Sequence, residues 1–321
     1  MTATPADAFE AERPRLLNVA YRLTGSVADA EDAVQDAWLR LSRVDADEIR
    51  NLQAWLTTTV SRLCLDRLTS AAARRETYIG QWLPEPIVTS LDPSTGSGGG
   101  GGSGGGGGSG GDPLSSVIQR EENRFAALVV LDVLPPAQRV SFVLHDAFGL
   151  PFAEIADVLG IDAANARQLA SRARKAVADP PPPVPDAEHD EAVGRFLAAM
   201  ASGDLQAVVA TLHPDARIMG DANGTTSTAI NVVRGPERFA RFYLGLLARF
   251  GDAALDSLEL VHVNGQLGVA IAGIAGETKR MSSPPRIGGL TVRDGLVWAA
   301  YDIANPEKHA GVRLPGWPTP P

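Results

Sequence analysis

Arg167, Arg172, Arg174 and Lys175 place four positive charges within nine residues, with no acid between them. Such a cluster suits phosphate oxygens, and the interleaved Asn165, Gln168 and Ser171 add amide and hydroxyl groups able to address base edges. Asn165, Arg167, Gln168, Ser171, Arg172 and Lys175 are therefore candidate DNA contacts, against the plainer reading of a solvated helix face. A second polar set, Asn51, Arg62, Asp66, Arg67, Arg74 and Arg75, reads either as a nucleic-acid contact or as a soluble surface. Asp29, Asp32, Gln35, Asp36 and Arg40 form an acidic face that suits a basic partner surface or simple solvation. Toward the C-terminus, His213, Asp215, Asp221, His262 and Asp302 are groups that could move a proton beside a carbonyl. Their spacing shows no local catalytic motif. His213-Pro214-Asp215 reads equally well as a turn, and His262 on an alternating strand reads as a half-exposed structural residue. The one cysteine, Cys64, excludes a disulfide framework and a cysteine-based metal site. Neither metal nor cofactor is expected.

The elements that must position these groups follow from periodicity. Ser26 followed by Asp29 is a helix-start signal, and Ala33, Val34, Ala37, Trp38 and Leu41 then share one helical face. Leu52 to Leu68 continues with an apolar side of Trp55, Leu56, Val60, Leu63 and Leu68. Residues 120–178 read as three or four short helices broken at Leu134-Pro135-Pro136 and Gly149-Leu150-Pro151. Within them, Phe152 to Arg172 has the pattern of a helix-turn-helix. Ile155, Ala156 and Leu159 point inward from a first helix, Gly160 takes the left-handed turn, and Ile161, Ala166 and Leu169 carry the core into a second. Residues 94–111 contain only glycine, serine and one threonine, with two five-glycine blocks each followed by serine. That is a structureless tether with the regularity of an engineered one. Five prolines in the six residues 180–185 mark a second spacer. Beyond it, Glu191 to Ala201 and Pro236 to Phe250 read as helices, Leu258 to Ile271 and Ile287 to Ile303 as strands. Asn264-Gly265 and Asp294-Gly295 signal hairpin turns. Helices followed by a run of strands suggest an α+β domain.

The net charge of −9 over 321 residues, with no segment basic on balance, argues against a free-standing DNA binder. A local basic patch delivered by a larger partner remains compatible with it. The N-terminus lacks a basic-then-apolar signal pattern, and no window approaches the roughly 18 uninterrupted apolar residues of a membrane span. A cytoplasmic protein without a membrane partner is expected.

The order of motifs resembles a known family. Arg22-Leu23-Thr24-Gly25 and the run Asp29 to Trp38, within residues 15–41, are similar to region 2 of extracytoplasmic-function (ECF) sigma factors, with Asn51 to Leu56 and Arg62 to Leu68 as its continuation. Residues 121–178 resemble region 4. Trp82-Leu83-Pro84-Glu85-Pro86 and Asn305-Pro306-Glu307-Lys308 resemble signatures of the subgroup fused to a C-terminal SnoaL-like domain, the sigma-J type. The resemblance implies a multidomain chain of two all-α sigma modules and a C-terminal α+β SnoaL/NTF2-like cone. Its divisions are region 2 at 8–92, the Gly/Ser linker at 93–111, region 4 at 112–178, a proline-rich linker at 179–187 and the SnoaL-like domain at 188–310. The resemblance also implies partners and roles. Core RNA polymerase is held through the β-prime clamp helices by Asp29, Asp32, Gln35, Asp36 and Arg40, and through the β flap. Promoter DNA is met at the −10 element by Asn51, Arg62, Asp66, Arg67, Arg74 and Arg75, and at the −35 element by the helix-turn-helix. Trp82, Leu83, Pro84, Glu85, Pro86, Asn305, Pro306 and Lys308 carry a regulatory interdomain contact, to which the diverged Gly220-Asp221-Ala222-Asn223-Gly224 is a candidate addition.

On this reading the chain is a sigma factor regulated in cis, and not an enzyme. Two alternatives stand beside it: a one-component helix-turn-helix regulator with a ligand-sensing pocket, and an isomerase or cyclase with a helical appendage. A C-terminal pocket taking an unknown small ligand is compatible with all three.

Overall fold

The structure is a computed structural model that describes residues 4–45, 49–75, 78–91, 124–177, 183–226, 228–251, 253, 256–274 and 282–318, with 72–75 described by backbone alone. The tether at 93–111 and residues 112–123 lie outside the described residues, as do residues 178–182 of the proline-rich spacer. The described residues divide into two compact units, one of residues 4–75 and 127–177, the other of 78–91, 124–126 and 183–318.

The first unit is helical. α1 (Pro5–Thr24) starts on a capping box between Thr4 and Asp7 and stops at Gly25, whose φ of 69° glycine adopts at no steric cost. Ser26 then caps α2 (Val27–Leu41), its hydroxyl accepting from the Asp29 amide at 3.2 Å, as the sequence signal predicts. α3 (Leu52–Arg75) runs past the expected Leu68. Leu16, Leu23, Ala33, Val34, Ala37, Leu56 and Val60 bury one side of each helix, while Trp38 stays half-buried.

α4 (Phe125–Leu131), α5 (Pro136–Phe142) with a π-helical turn at Val143–Ala147, α6 (Phe152–Leu159) and α7 (Ala163–Ala176) follow, and the breaks fall at the expected prolines. Gly160 sits at φ 66°, ψ 34° between α6 and α7. Ala166, Ala170 and Ala173 are fully buried, and the Ser141 hydroxyl bonds the Ala166 carbonyl at 2.6 Å. Residues this small let α7 approach α5 closely. The expected core of the motif shifts slightly: Val158 and Ala170 are buried, whereas Leu159, Ile161 and Leu169 are half-buried.

The second unit is α+β. Its mixed sheet runs β1-β4-β5-β6-β7-β2-β3. The strands are β1 (Val88–Ser90), β2 (Leu212–Asp221), β3 (Val233–Arg234), β4 (Leu258–Val263), β5 (Gln266–Ile271), β6 (Arg286–Arg293) and β7 (Leu296–Ile303). β2 and β7 pair in parallel; the other pairs are antiparallel. Both expected hairpins form, with Asn264 and Gly265 at φ 51° and 80° and Asp294 and Gly295 at 52° and 69°, the geometry of primed turns. α8 (Asp186–Ser202), α9 (Leu205–Ala210) and α10 (Pro236–Phe250) cover the sheet, with Val193, Phe196, Ile218, Phe239, Leu290 and Val297 in the core. α8 begins five residues before the apolar periodicity does, because Asp186 and Glu188 favour a helix N-terminus without contributing to its apolar face.

One reading needs correction. His213-Pro214-Asp215 is not a turn but the start of β2, where an irregular register against β7 between Leu212 and Arg217 absorbs the proline.

Candidate functional site

All six side chains assigned to the basic helix, Asn165, Arg167, Gln168, Ser171, Arg172 and Lys175, are exposed on α7, opposite its buried alanines. Asp162 caps the helix through the Asn165 amide at 2.8 Å and also accepts the Asn165 side chain at 2.7 Å. Arg167 lies 5.2 Å from the Phe152 ring. Arg174 is different: its guanidinium grips Asp146 through two bonds of 2.7 and 3.0 Å, so its charge is spent within the motif.

On α2, Asp32, Gln35 and Arg40 are exposed, and Asp29 and Asp36 are half-buried. The sequence sets assigned to different partners meet here: Arg67 of α3 pairs with Asp36 at 2.9 Å and approaches Asp29 at 4.0 Å. Asn51 caps α3 by accepting the Ala54 amide at 3.1 Å. Asp66 is exposed, and Arg62 gives a 2.7 Å bond to the Asp157 carbonyl of α6. Arg74 and Arg75 fall where only the backbone is described.

The densest polar arrangement lies in the second unit. Residues 83–88 are buried against the sheet, where Ile87 and Asn264 exchange two bonds of 2.8 and 3.0 Å. At the end of β2, the fully buried Asp221 accepts the Leu83 amide at 2.7 Å, the Tyr78 hydroxyl and the Lys308 ammonium. Lys308 also bonds the Leu83 carbonyl and lies 4.1 Å from the Trp82 ring. Asn305 donates to the Tyr78 oxygen at 2.9 Å while capping the 3-10 turn at Pro306–His309. Burial, reinforced by the Asp221 carboxylate, holds the Tyr78 phenol protonated far above its ordinary range. Leu83, Pro84, Glu85 and Pro86 are buried and Trp82 is half-buried, but Pro306 is exposed and opens the turn. Tyr78, and the bond of Asn264 to Ile87, escaped the sequence reading. A lone tyrosine and a hairpin asparagine carry no signal until the chain brings them against residues more than a hundred positions away.

The five proton-transfer candidates are dispersed. The His213 ring accepts the Asp215 amide at 3.1 Å and lies 3.6 Å from Asp294. Asp221 belongs to the Lys308 clasp, His262 is half-exposed on β4, and Asp302 lines a cavity. Among the described residues, no hydrogen bond or ion pair joins any two of His213, Asp221, His262 and Asp302. No group of three His, Cys, Asp or Glu among the described residues could hold a metal ion, and no helix among them is long and apolar enough to cross a membrane.

Residues 8–74 match Sigma-70 region 2, residues 124–177 match Sigma-70 region 4, and residues 193–300 match a SnoaL-like domain. The chain is 53% identical over 309 residues to the ECF RNA polymerase sigma factor SigJ of Mycobacterium tuberculosis, covering 95% of this chain and 93% of that one. It belongs to the ECF sigma factors. The crystal structure of M. tuberculosis SigJ matches this sigma factor with a TM-score of 0.79 and 51% identity over 96% of this chain and 99% of that one. A probable ECF sigma factor SigI from the same organism is 37% identical over 209 residues, 64% of this chain and 66% of that one. The sigma factor's α2, and α3 up to Arg74, fall within the region 2 match and α7 within region 4. In the clasp, only Asp221 lies in the SnoaL-like match; Tyr78, Leu83 and Lys308 lie outside all three matched stretches.

Proposed function

We propose that this sigma factor loads onto core RNA polymerase through the Asp29, Asp32, Gln35, Asp36 and Arg40 face toward the β-prime clamp helices, with region 4 at the β flap. α7 then reads the −35 element through Asn165, Arg167, Gln168, Ser171, Arg172 and Lys175, while Asn51, Arg62, Asp66, Arg67, Arg74 and Arg75 serve the −10 element. The functional divisions remain 8–92, 93–111, 112–178, 179–187 and 188–310. The observation that carries the reading is the outward face of α7, six exposed polar side chains over a helix-turn-helix packed on buried alanines. Tethering two weak readers to one polymerase raises the effective concentration of the second, so an acidic chain can open promoters it binds poorly alone. Its site of action is the cytoplasm, where polymerase works, and its output is initiation rather than catalysis.

The SnoaL-like domain regulates in cis by holding residues 78–91. The Asp221–Lys308 clasp supports this, since a strand and a buried ion pair tie that segment to the sheet. The Arg62 contact to Asp157 supports a rearrangement on loading, because it engages a candidate −10 residue with the helix-turn-helix module. Run-off transcription with purified core polymerase tests the whole reading. The full chain is expected to initiate from its promoter, Arg172→Ala to lose most of that initiation, and Lys308→Met to alter its level. No stimulated initiation by any form would refute the sigma reading, and unchanged levels in Lys308→Met would refute regulation through the clasp.

A further inference from the structure

Between α5 and the helix-turn-helix, the chain leaves α-helical pitch for the π-helical turn at Val143–Ala147, a form that is rare within helices and recurs at functional sites. Two consecutive residues of that turn, His145 and Asp146, serve side chains of α7. The Asp146 carboxylate takes the Arg174 guanidinium directly, at 2.7 and 3.0 Å. His145 acts through an intermediary. Its ring stacks on Phe152, the first residue of α6, with centroids 4.0 Å apart and planes 29° from parallel. The Arg167 guanidinium lies over that same Phe152 ring, 5.2 Å from its centroid. The imidazole is itself fixed: its Nδ1 donates to the Leu150 carbonyl at 3.0 Å, and the Gly149 and Leu150 amides return to the His145 and Leu144 carbonyls at 3.0 and 2.9 Å. A held imidazole, an aromatic ring and an exposed guanidinium thus follow one another from the π-helical turn to the outer face of α7.

The value of such an order follows from how a cation meets DNA. Attraction to phosphates is independent of sequence and needs only charge, which a freely turning arginine supplies as well as a fixed one. Reading a guanine edge through two parallel bonds needs a single orientation of the guanidinium. An exposed arginine has many rotamers, and ordering it on binding subtracts from affinity for the right sequence. A ring over which the guanidinium already lies removes part of that cost beforehand. An exposed cation–π contact is worth about two- to fivefold in an equilibrium constant.

We propose that His145 and Phe152 are positioning residues for −35 recognition, holding the Arg167 guanidinium so that it discriminates at one base pair. This rests on α7 facing the −35 element, and it requires neither His145 nor Phe152 to touch DNA.

Holoenzyme reconstituted from the full chain and core polymerase, used to capture promoter duplexes from a pool randomised across the −35 element, provides the test. Sequencing before and after capture gives the base preference at each position. Arg167→Ala is expected to flatten the preference at one position, which identifies the base pair that Arg167 reads. Phe152→Leu keeps apolar bulk but loses the ring, and His145→Ala loses the stack. Each is expected to weaken the preference at that same position by about two- to fivefold, leaving the other positions and the salt slope of promoter affinity as in the wild type. Phe152→Tyr keeps the ring and is expected to match the wild type. In the Arg167→Ala background, neither Phe152→Leu nor His145→Ala should have a further effect. Circular dichroism checks folding, and His145→Ala carries the test if Phe152→Leu does not fold. Preference lost equally at every position, or preserved at the Arg167 position in the folded variants, would overturn the positioning role and leave the reading of α7 intact. No change at any position in Arg167→Ala would overturn the positioning role together with the −35 role of Arg167.

Discussion

The Leu83 amide donates to Asp221 Oδ2 at 2.7 Å, joining a segment that follows the region 2 helices to the end of β2, 138 residues later in the chain. The same oxygen accepts from Lys308, so one carboxylate satisfies a buried backbone donor and a buried cation together. Charge, amide and aromatic ring thereby hold one six-residue stretch against a sheet.

Asp221→Ala should release that stretch. Lys308 would keep a buried charge without its carboxylate, and removing one member of a buried pair costs about 3–5 kcal/mol. Hydrogen exchange should show faster exchange at the Leu83 and Ile87 amides, with the amides of α2 unchanged. Unaltered protection at Leu83 would mean that the carboxylate does not hold the segment.

Promoter affinity should separate the basic residues of α7. Arg172→Ala and Lys175→Ala remove exposed cations and should each weaken holoenzyme binding, lowering the salt slope by about one if the contact is to phosphate. Arg174→Ala removes a side chain occupied by Asp146 and should weaken DNA binding less. Filter binding at several salt concentrations distinguishes these effects.

The Asp36–Arg67 pair should matter more to partners than to folding. With Asp36 46% exposed and Arg67 22% exposed, solvent screens the pair, and Asp36→Ala should change stability by less than about 1 kcal/mol. Capture of core polymerase should nevertheless fall. A large drop in unfolding midpoint with intact polymerase capture would reverse the assignment.

Acid should loosen the second unit. Burial lowers the pKa of His189 and of His309 below the ordinary 6.5 despite bonds to the Leu290 and Ile303 carbonyls. Below pH 6.5 the unfolded chain therefore binds protons that the folded one resists, and stability falls with falling pH. The urea midpoint should drop between pH 7.5 and 5.5, and His309→Gln should flatten that dependence.

Much of this architecture was legible in residue order. Ser26 before Asp29, glycine at 160 among alanines, and the pairs Asn264-Gly265 and Asp294-Gly295 each state a local backbone requirement, and each forms as stated. Reading failed where geometry is set at a distance. The parallel pairing of β2 with β7 leaves no mark in β2, whose proline instead resembled a turn. Asn51, a candidate nucleic-acid contact, also caps α3, a role that any short polar residue there can take and that its membership of a polar set does not announce. Asp221 looked like a proton carrier because nothing near it in the chain announces Lys308.

By itself, then, the sequence determined α2, the body of α3, the short helices around the helix-turn-helix, α10 and the two hairpins, because capping, turn chemistry and apolar period act over a few residues. Only the tertiary structure decided that Arg62 meets Asp157, that Arg174 is neutralised by Asp146, and that Asp221, Lys308, Tyr78 and Leu83 share one buried point. Those outcomes depend on which polar groups lose water together when distant segments pack, and that pairing has no local code.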